Sequence, residues 1–167
     1  MGKTAFMGID MINNCEHPDA ELLISSAERA VPRIVRFIEA AQQRNVPVIY
    51  AHDNFGQWRS HHGEIVETAL AGARGDLVEP LRPDETSLFV VKARHSIFYE
   101  TPLAYLLSQL NVDHIVLCGQ VTEHRHLGVT IPNDAVAHIH SDLADAALCM
   151  IQRNMNAVIR PGDTIEL

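Results

Sequence analysis

The sequence predicts a three-layer α/β/α sandwich built on a mostly parallel, doubly wound (Rossmann-like) sheet of about six strands. Three observations lead there. Short apolar runs without polar alternation recur along the chain, as strands buried on both faces require. Stretches with helical spacing separate them. The 167 residues, 47% of them apolar, suit one domain over 1–167 with a sizeable core, not two.

The runs are Ala5–Ile9, Val46–Ala51, Ser87–Val91, His114–Cys118 and Gly128–Ile131, with a last strand candidate at Ala157–Ile159. Between Ser25 and Asn45, the residues Ala27, Val31, Ile34, Ile38 and Ala41 recur every three or four positions and mark the longest helix. Ser25 and Glu28 have capping-box spacing, and Pro32 predicts a late start or a bend. Thr101-Pro102 opens a second helix, with Leu103, Leu106, Leu107 and Leu110 on its inner face. Ser141–Met155 gives a third, with Leu143, Ala147, Met150 and Ile151 expected to face inward. The stretch from Asn54 to Gly63 has loop character.

A net charge of -8, a pI near 5.6 and no basic run exclude a nucleic-acid footprint and an anionic membrane partner. Cys15, Cys118 and Cys149 form no CxxC pair, which fits free thiols in a cytoplasmic protein. The apolar run at the N-terminus ends in Asp10, too early for a signal peptide or a spanning helix, and reads as the first strand.

One connection is anomalous. A parallel crossover needs roughly a dozen or more residues, usually with a helix inside. Between the runs ending at Cys118 and opening near Leu127 there are only eight, Gly119–His126. Either these runs are not parallel neighbours, or residues of the crossover are absent.

In doubly wound sheets chemistry gathers at the carboxyl ends of the strands. Asp10, Asp53-Asn54, Lys92 and Gly119–His124 occupy those ends. Asp10 there suits a general base, and equally a residue that caps its own loop. Lys92 closes a buried strand, where its charge calls for a partner, and Asp10 is the expected one. Among ten histidines the best metal-ligand cluster is His52-Asp53 with His61-His62, yet no HExxH spacing occurs and no metal or other cofactor is expected. His138 and His140 belong to the approach of the last helix. Cys118 and Cys149 read as core residues, and Cys15 as an exposed thiol; none is placed as a nucleophile.

With these residues in view, the chain resembles, from one end to the other, the isochorismatase-like cysteine hydrolases, which include nicotinamidases and carbamoylsarcosine amidases. GIDMIN resembles the first motif, whose catalytic aspartate is Asp10 here. VVKARHSIFYETPL resembles the second, carried by Lys92, Phe98 and Thr101. GQVTEH resembles the third, in which a cis peptide, here Val121-Thr122, precedes a nucleophilic cysteine three residues beyond the threonine. That position holds Arg125.

The resemblance therefore implies that about a dozen residues, including the nucleophile and its helix, are missing between His124 and Arg125. With them, the implied reaction is hydrolysis of a small amide through a thioester. Asp10 would move the proton, Lys92 and the helix N-terminus would lower the thiol pKa, and the Val121-Thr122 turn would hold the oxyanion. Asn54, Phe55, Trp58 and Phe98 are the candidate substrate-binding residues. Asp53-Asn54-Phe55 replaces the Asp-x-His element of nicotinamidases, against that activity and against a metal. Relatives of isochorismatase itself cleave a vinyl ether without the cysteine. The rival class is a non-catalytic binding protein or inactive relative on the same fold. A homodimer or larger homo-oligomer is expected from the resemblance.

Overall fold

All six apolar runs form strands in the computed structural model, which describes residues 3–54, 61–92, 96–119 and 128–167. They are β1 (Lys3–Ile9), β2 (Val48–Asp53), β3 (Leu88–Lys92), β4 (Val112–Gly119), β5 (Gly128–Pro132) and β6 (Val158–Arg160). One parallel sheet takes them in the order β3-β2-β1-β4-β5-β6. The order reverses direction at β1, which sits between β2 and β4.

Successive side chains of a strand point to opposite faces. On one face Phe6, Val48, Tyr50, Val116 and Cys118 pack against α1 (Ala20–Gln43), α2 (His62–Leu70) and α3 (Gly75–Val78). On the other, Ala5, Met7, Ile9, Ile49, Ile115 and Leu117 join α4 (Leu103–Leu110) and α5 (Ser141–Met155). The predicted sandwich is thus the observed one.

α1 departs from expectation at its start. It begins five residues before Ser25, at Ala20 after Asp19, so Ser25 and Glu28 lie inside it and form no capping box. Pro32 also lies inside, solvent-exposed, and deprives the Glu28 carbonyl of its helical N–H partner. The helix runs through because Leu23, Ala27, Ala30, Val31, Ile34, Phe37, Ile38 and Ala41 hold one side of it in the core, Phe37 stacking on Phe6 at 5.9 Å. Burial outweighs the single lost hydrogen bond.

β4 and β5 are parallel neighbours, paired from His114–Gly128 to Val116–Thr130. One of the two explanations of the short connection is therefore removed. Only 120–127 join these strands, whereas the other connections run from 19 residues (93–111) to 38 (10–47). α5 has the expected bounds, but of its four expected inward residues only Ile151 is fully buried; Leu143 and Met150 are 62% and 50% exposed. They lie on a flank of the helix, not on its sheet-facing side.

Candidate active site

Asp10 follows the last residue of β1 and takes a left-handed conformation, φ +52°, that non-glycine residues seldom adopt. Its N–H still reaches across to the Ala51 carbonyl of β2 (3.0 Å), so the chain turns sharply while tied to the sheet. The carboxylate does not cap its own loop. Oδ2 lies 2.8 Å from Lys92 Nζ, and Oδ1 accepts a hydrogen bond from the Asp53 N–H at 3.3 Å.

Lys92 ends β3 two strands away, opposite Asp53 of β2, so the ion pair bridges the carboxyl end of the intervening strand. The lysine side chain is 3% exposed and the aspartate 20%. A cation buried to that extent is tolerated because a carboxylate partners it. One end of the pair remains open to solvent, as a group that exchanges protons with a substrate requires.

His52, one residue before Asp53, is buried beside the pair. Its Nδ1 lies 2.9 Å from the Asp53 carbonyl oxygen. Burial lowers its pKa below the usual 6.5 despite the opposing pull of Asp10 and Asp53, with Lys92 reinforcing the drop. The imidazole is therefore neutral at pH 7. His61 and His62, its proposed companions as metal ligands, instead stack on each other at 5.5 Å, with His62 against Phe89 at 5.4 Å. Among the described residues no three ligand-type side chains gather as for a metal ion.

Gly119 closes β4 beside Asp10. Its φ is +101°, and a Cβ there would stand 2.0 Å from the Ile9 carbonyl oxygen. Only glycine lets the end of β4 come so close to the end of β1 before the chain leaves the sheet. Asn54, just past β2, is buried, and Phe98 packs partly buried against the cluster that holds α4. Thr101 receives no chemical role: its hydroxyl binds the Ile97 carbonyl and accepts the Leu103 N–H at the start of α4. Val121, Thr122, Phe55 and Trp58 lie outside the described residues.

The thiols need two corrections. Cys15 is buried, not exposed, its sulfur 3.8 Å from the Asn13 carbonyl, and burial raises its pKa against the pull of Arg74. Cys149 is exposed, because it lies on the solvent side of α5. Cys118 is fully buried, which pushes its pKa well up. No cysteine therefore joins the Asp10–Lys92 pair as a thiolate.

The Isochorismatase domain family matches residues 4–162, nearly the whole chain. The chain belongs to the isochorismatase family. Among its relatives is the uncharacterized isochorismatase family protein YaaI of Bacillus subtilis, 31% identical over 172 residues, 96% of this chain and 95% of that one. A probable inactive nicotinamidase of Arabidopsis thaliana is 32% identical over 130 residues, covering 71% of this chain and 66% of the plant protein. In fold, this isochorismatase-family chain resembles N-carbamoylsarcosine amidase from Thermoplasma acidophilum, with a TM-score of 0.70 at 22% identity over 99% of each chain. No helix among the described residues of the isochorismatase-family chain is long and apolar enough to cross a membrane.

Proposed function

We propose that this protein is a cytoplasmic hydrolase of small molecules, cleaving an amide C–N bond through a thioester. The nucleophilic cysteine stands in residues inserted between His124 and Arg125 and not among the 167. The observation that carries this reading is the Asp10–Lys92 pair, a half-open acid–base couple at the carboxyl edge where β1 adjoins both β2 and β4.

In this reading the Asp10 carboxylate takes the thiol proton and returns it to the departing nitrogen. Lys92 holds Asp10 in place and favours the neighbouring thiolate. N–H groups at the Val121-Thr122 turn receive the oxyanion, and Asn54, Phe55, Trp58 and Phe98 enclose the substrate. Two facts favour an insertion. β4 and β5 are parallel neighbours joined by too few residues for a covered crossover. The match to YaaI extends over 172 residues, more than the 167 of this chain, so that relative carries residues without a counterpart here.

The test is the intact mass of the protein expressed from its own gene. An excess of about 1 kDa or more over 18.5 kDa is expected, the size of a dozen-residue crossover. Amidase activity sensitive to thiol alkylation and to Asp10→Asn should accompany it. A mass of 18.5 kDa overturns the thioester reading. Turnover that survives alkylation would mark a vinyl-ether hydrolase. No turnover would leave a binding protein or inactive relative, the reading favoured by the match to a probable inactive nicotinamidase.

A further inference from the structure

Asp53, the last residue of β2, stands where β1 has already ended. In a parallel pair every second residue turns both its N–H and its C=O toward the neighbouring strand. β1 and β2 keep this rhythm from the Phe6 N–H on the Pro47 carbonyl (2.9 Å) to the Asp10 N–H on the Ala51 carbonyl (3.0 Å). The next residue of β2 to face β1 is therefore Asp53. Pairing with β1 stops at Ile9–Ala51, because Asp10 turns into the left-handed region and the chain leaves the sheet. Side chains take over the rungs that the strand no longer offers. Asp10 Oδ1 accepts the Asp53 N–H at 3.3 Å, and His52 Nδ1 lies 2.9 Å from the Asp53 carbonyl oxygen.

A carbonyl oxygen only accepts, so Nδ1 of His52 carries the proton and donates it. Burial holds that donor in place, His52 being 3% exposed. Asp53 is thus gripped at both of its main-chain groups. The His52 bond fixes its carbonyl, and its N–H in turn fixes one carboxylate oxygen of Asp10 while the other meets Lys92 at 2.8 Å. At 3.3 Å the N–H bond is at the long end for its type, so a small swing of Asp53 is enough to break it. We infer, resting on the hydrolase reading above, that His52 is a positioning residue for that reaction: it braces Asp53, whose N–H sets the orientation in which the Asp10 carboxylate meets the substrate. His52 acts through Asp53 and takes no part in the proton transfer itself.

Measurements on the protein expressed from its own gene test this. The ring nitrogen NMR shifts of His52 at neutral pH should place the proton on Nδ1 and leave Nε2 bare. The opposite tautomer overturns the proposal, with no variant needed. Asparagine carries its Nδ2 on Cγ, as histidine carries Nδ1, so His52→Asn keeps the donor and His52→Leu removes it. Hydrogen exchange at the Asp53 N–H should accelerate at least about tenfold in His52→Leu and stay within about threefold of the parent in His52→Asn. The Asp10 N–H, bonded within the sheet, should change in neither. His52→Gln, its amide one methylene further out, replaces the leucine variant if that chain does not fold. Equal exchange in the donor-bearing and donor-lacking chains overturns the proposal.

Turnover of a small amide adds a further readout. Misplacing a reacting group by about 1 Å costs about a hundredfold in rate. In His52→Leu kcat should therefore fall about 10–100-fold with KM within about threefold, and His52→Asn should recover most of it. A kcat that leucine leaves unchanged, a change confined to KM, or an equal loss in both variants overturns the proposal. A parent protein that turns over no amide counts against the hydrolase reading instead, while the His52 ring proton and the Asp53 exchange still decide the brace. The two thus fail separately.

Discussion

Asp10 and Lys92 differ in what each leaves behind when removed. Asp10→Asn takes the opposite charge away from a lysine that is nearly inaccessible to water, and the expected destabilisation is about 3–5 kcal/mol. Lys92→Met leaves a carboxylate still hydrated and still bonded to the Asp53 N–H, for about 1–3 kcal/mol. Urea unfolding of the two variants should rank them in that order. His52 gives the fold a pH dependence of definite sign. Because its folded pKa lies below 6.5, the unfolded chain binds more protons as pH falls through that value. The His52 contribution is complete above pH 6.5 and is lost on acidification below it. His52→Gln should flatten the decline in Tm between pH 7 and pH 5. Equal slopes in both proteins would refute the assignment. Gly119→Ala meets both a positive φ and the Ile9 carbonyl, and should cost about 3 kcal/mol or more in the same urea experiment.

At the scale of elements, the strands were legible because each is buried on both faces and so carries an uninterrupted apolar run. The Asp10–Lys92 pair was legible for a related reason: a charged residue ending such a run stands out. α2 and α3 left no comparable signal, being only nine and four residues long. The start of α1 was misplaced because Ser25, Glu28 and Pro32 imitate a beginning, while tertiary packing extends the helix to Ala20. For α5, periodicity found the helix but not its buried side: Leu143 and Met150, expected to face inward, are exposed, and only Ile151 is buried. Cys149 was misread likewise, since it is one position from Met150 and points to solvent. Pro32, exposed in mid-helix, offers an element-scale prediction. Pro32→Ala restores an N–H to the Glu28 carbonyl, and even after the greater freedom of the unfolded chain it should stabilise the protein by about 1–2 kcal/mol. Thermal unfolding checks this.

For the whole molecule, a net charge of -8 at pH 7 supplies the repulsion between copies that keeps the protein dispersed, and it vanishes near the pI of 5.6. Light scattering should therefore rise sharply between pH 6 and pH 5 at low salt, about where protonation also weakens the His52 site, and stay flat near pH 8. The doubly wound architecture followed from the alternation of strands and helices, and the β4–β5 anomaly from counting. The roles of Val121 and Thr122 rest on resemblance, and those of Phe55 and Trp58 on the aromatic side chains of a stretch just past a strand end, because none of the four has a periodicity to betray what it touches. The strand order has a consequence in time as well as in space. β2 pairs with both β1 and β3, and Asp10 follows the end of β1 while Lys92 ends β3. During synthesis both members of the acid–base couple leave the ribosome before the β4–β5 connection does. Gain or loss of the β4–β5 crossover is thus an event in the chain's second half, whereas both members of the couple lie in its first 92 residues.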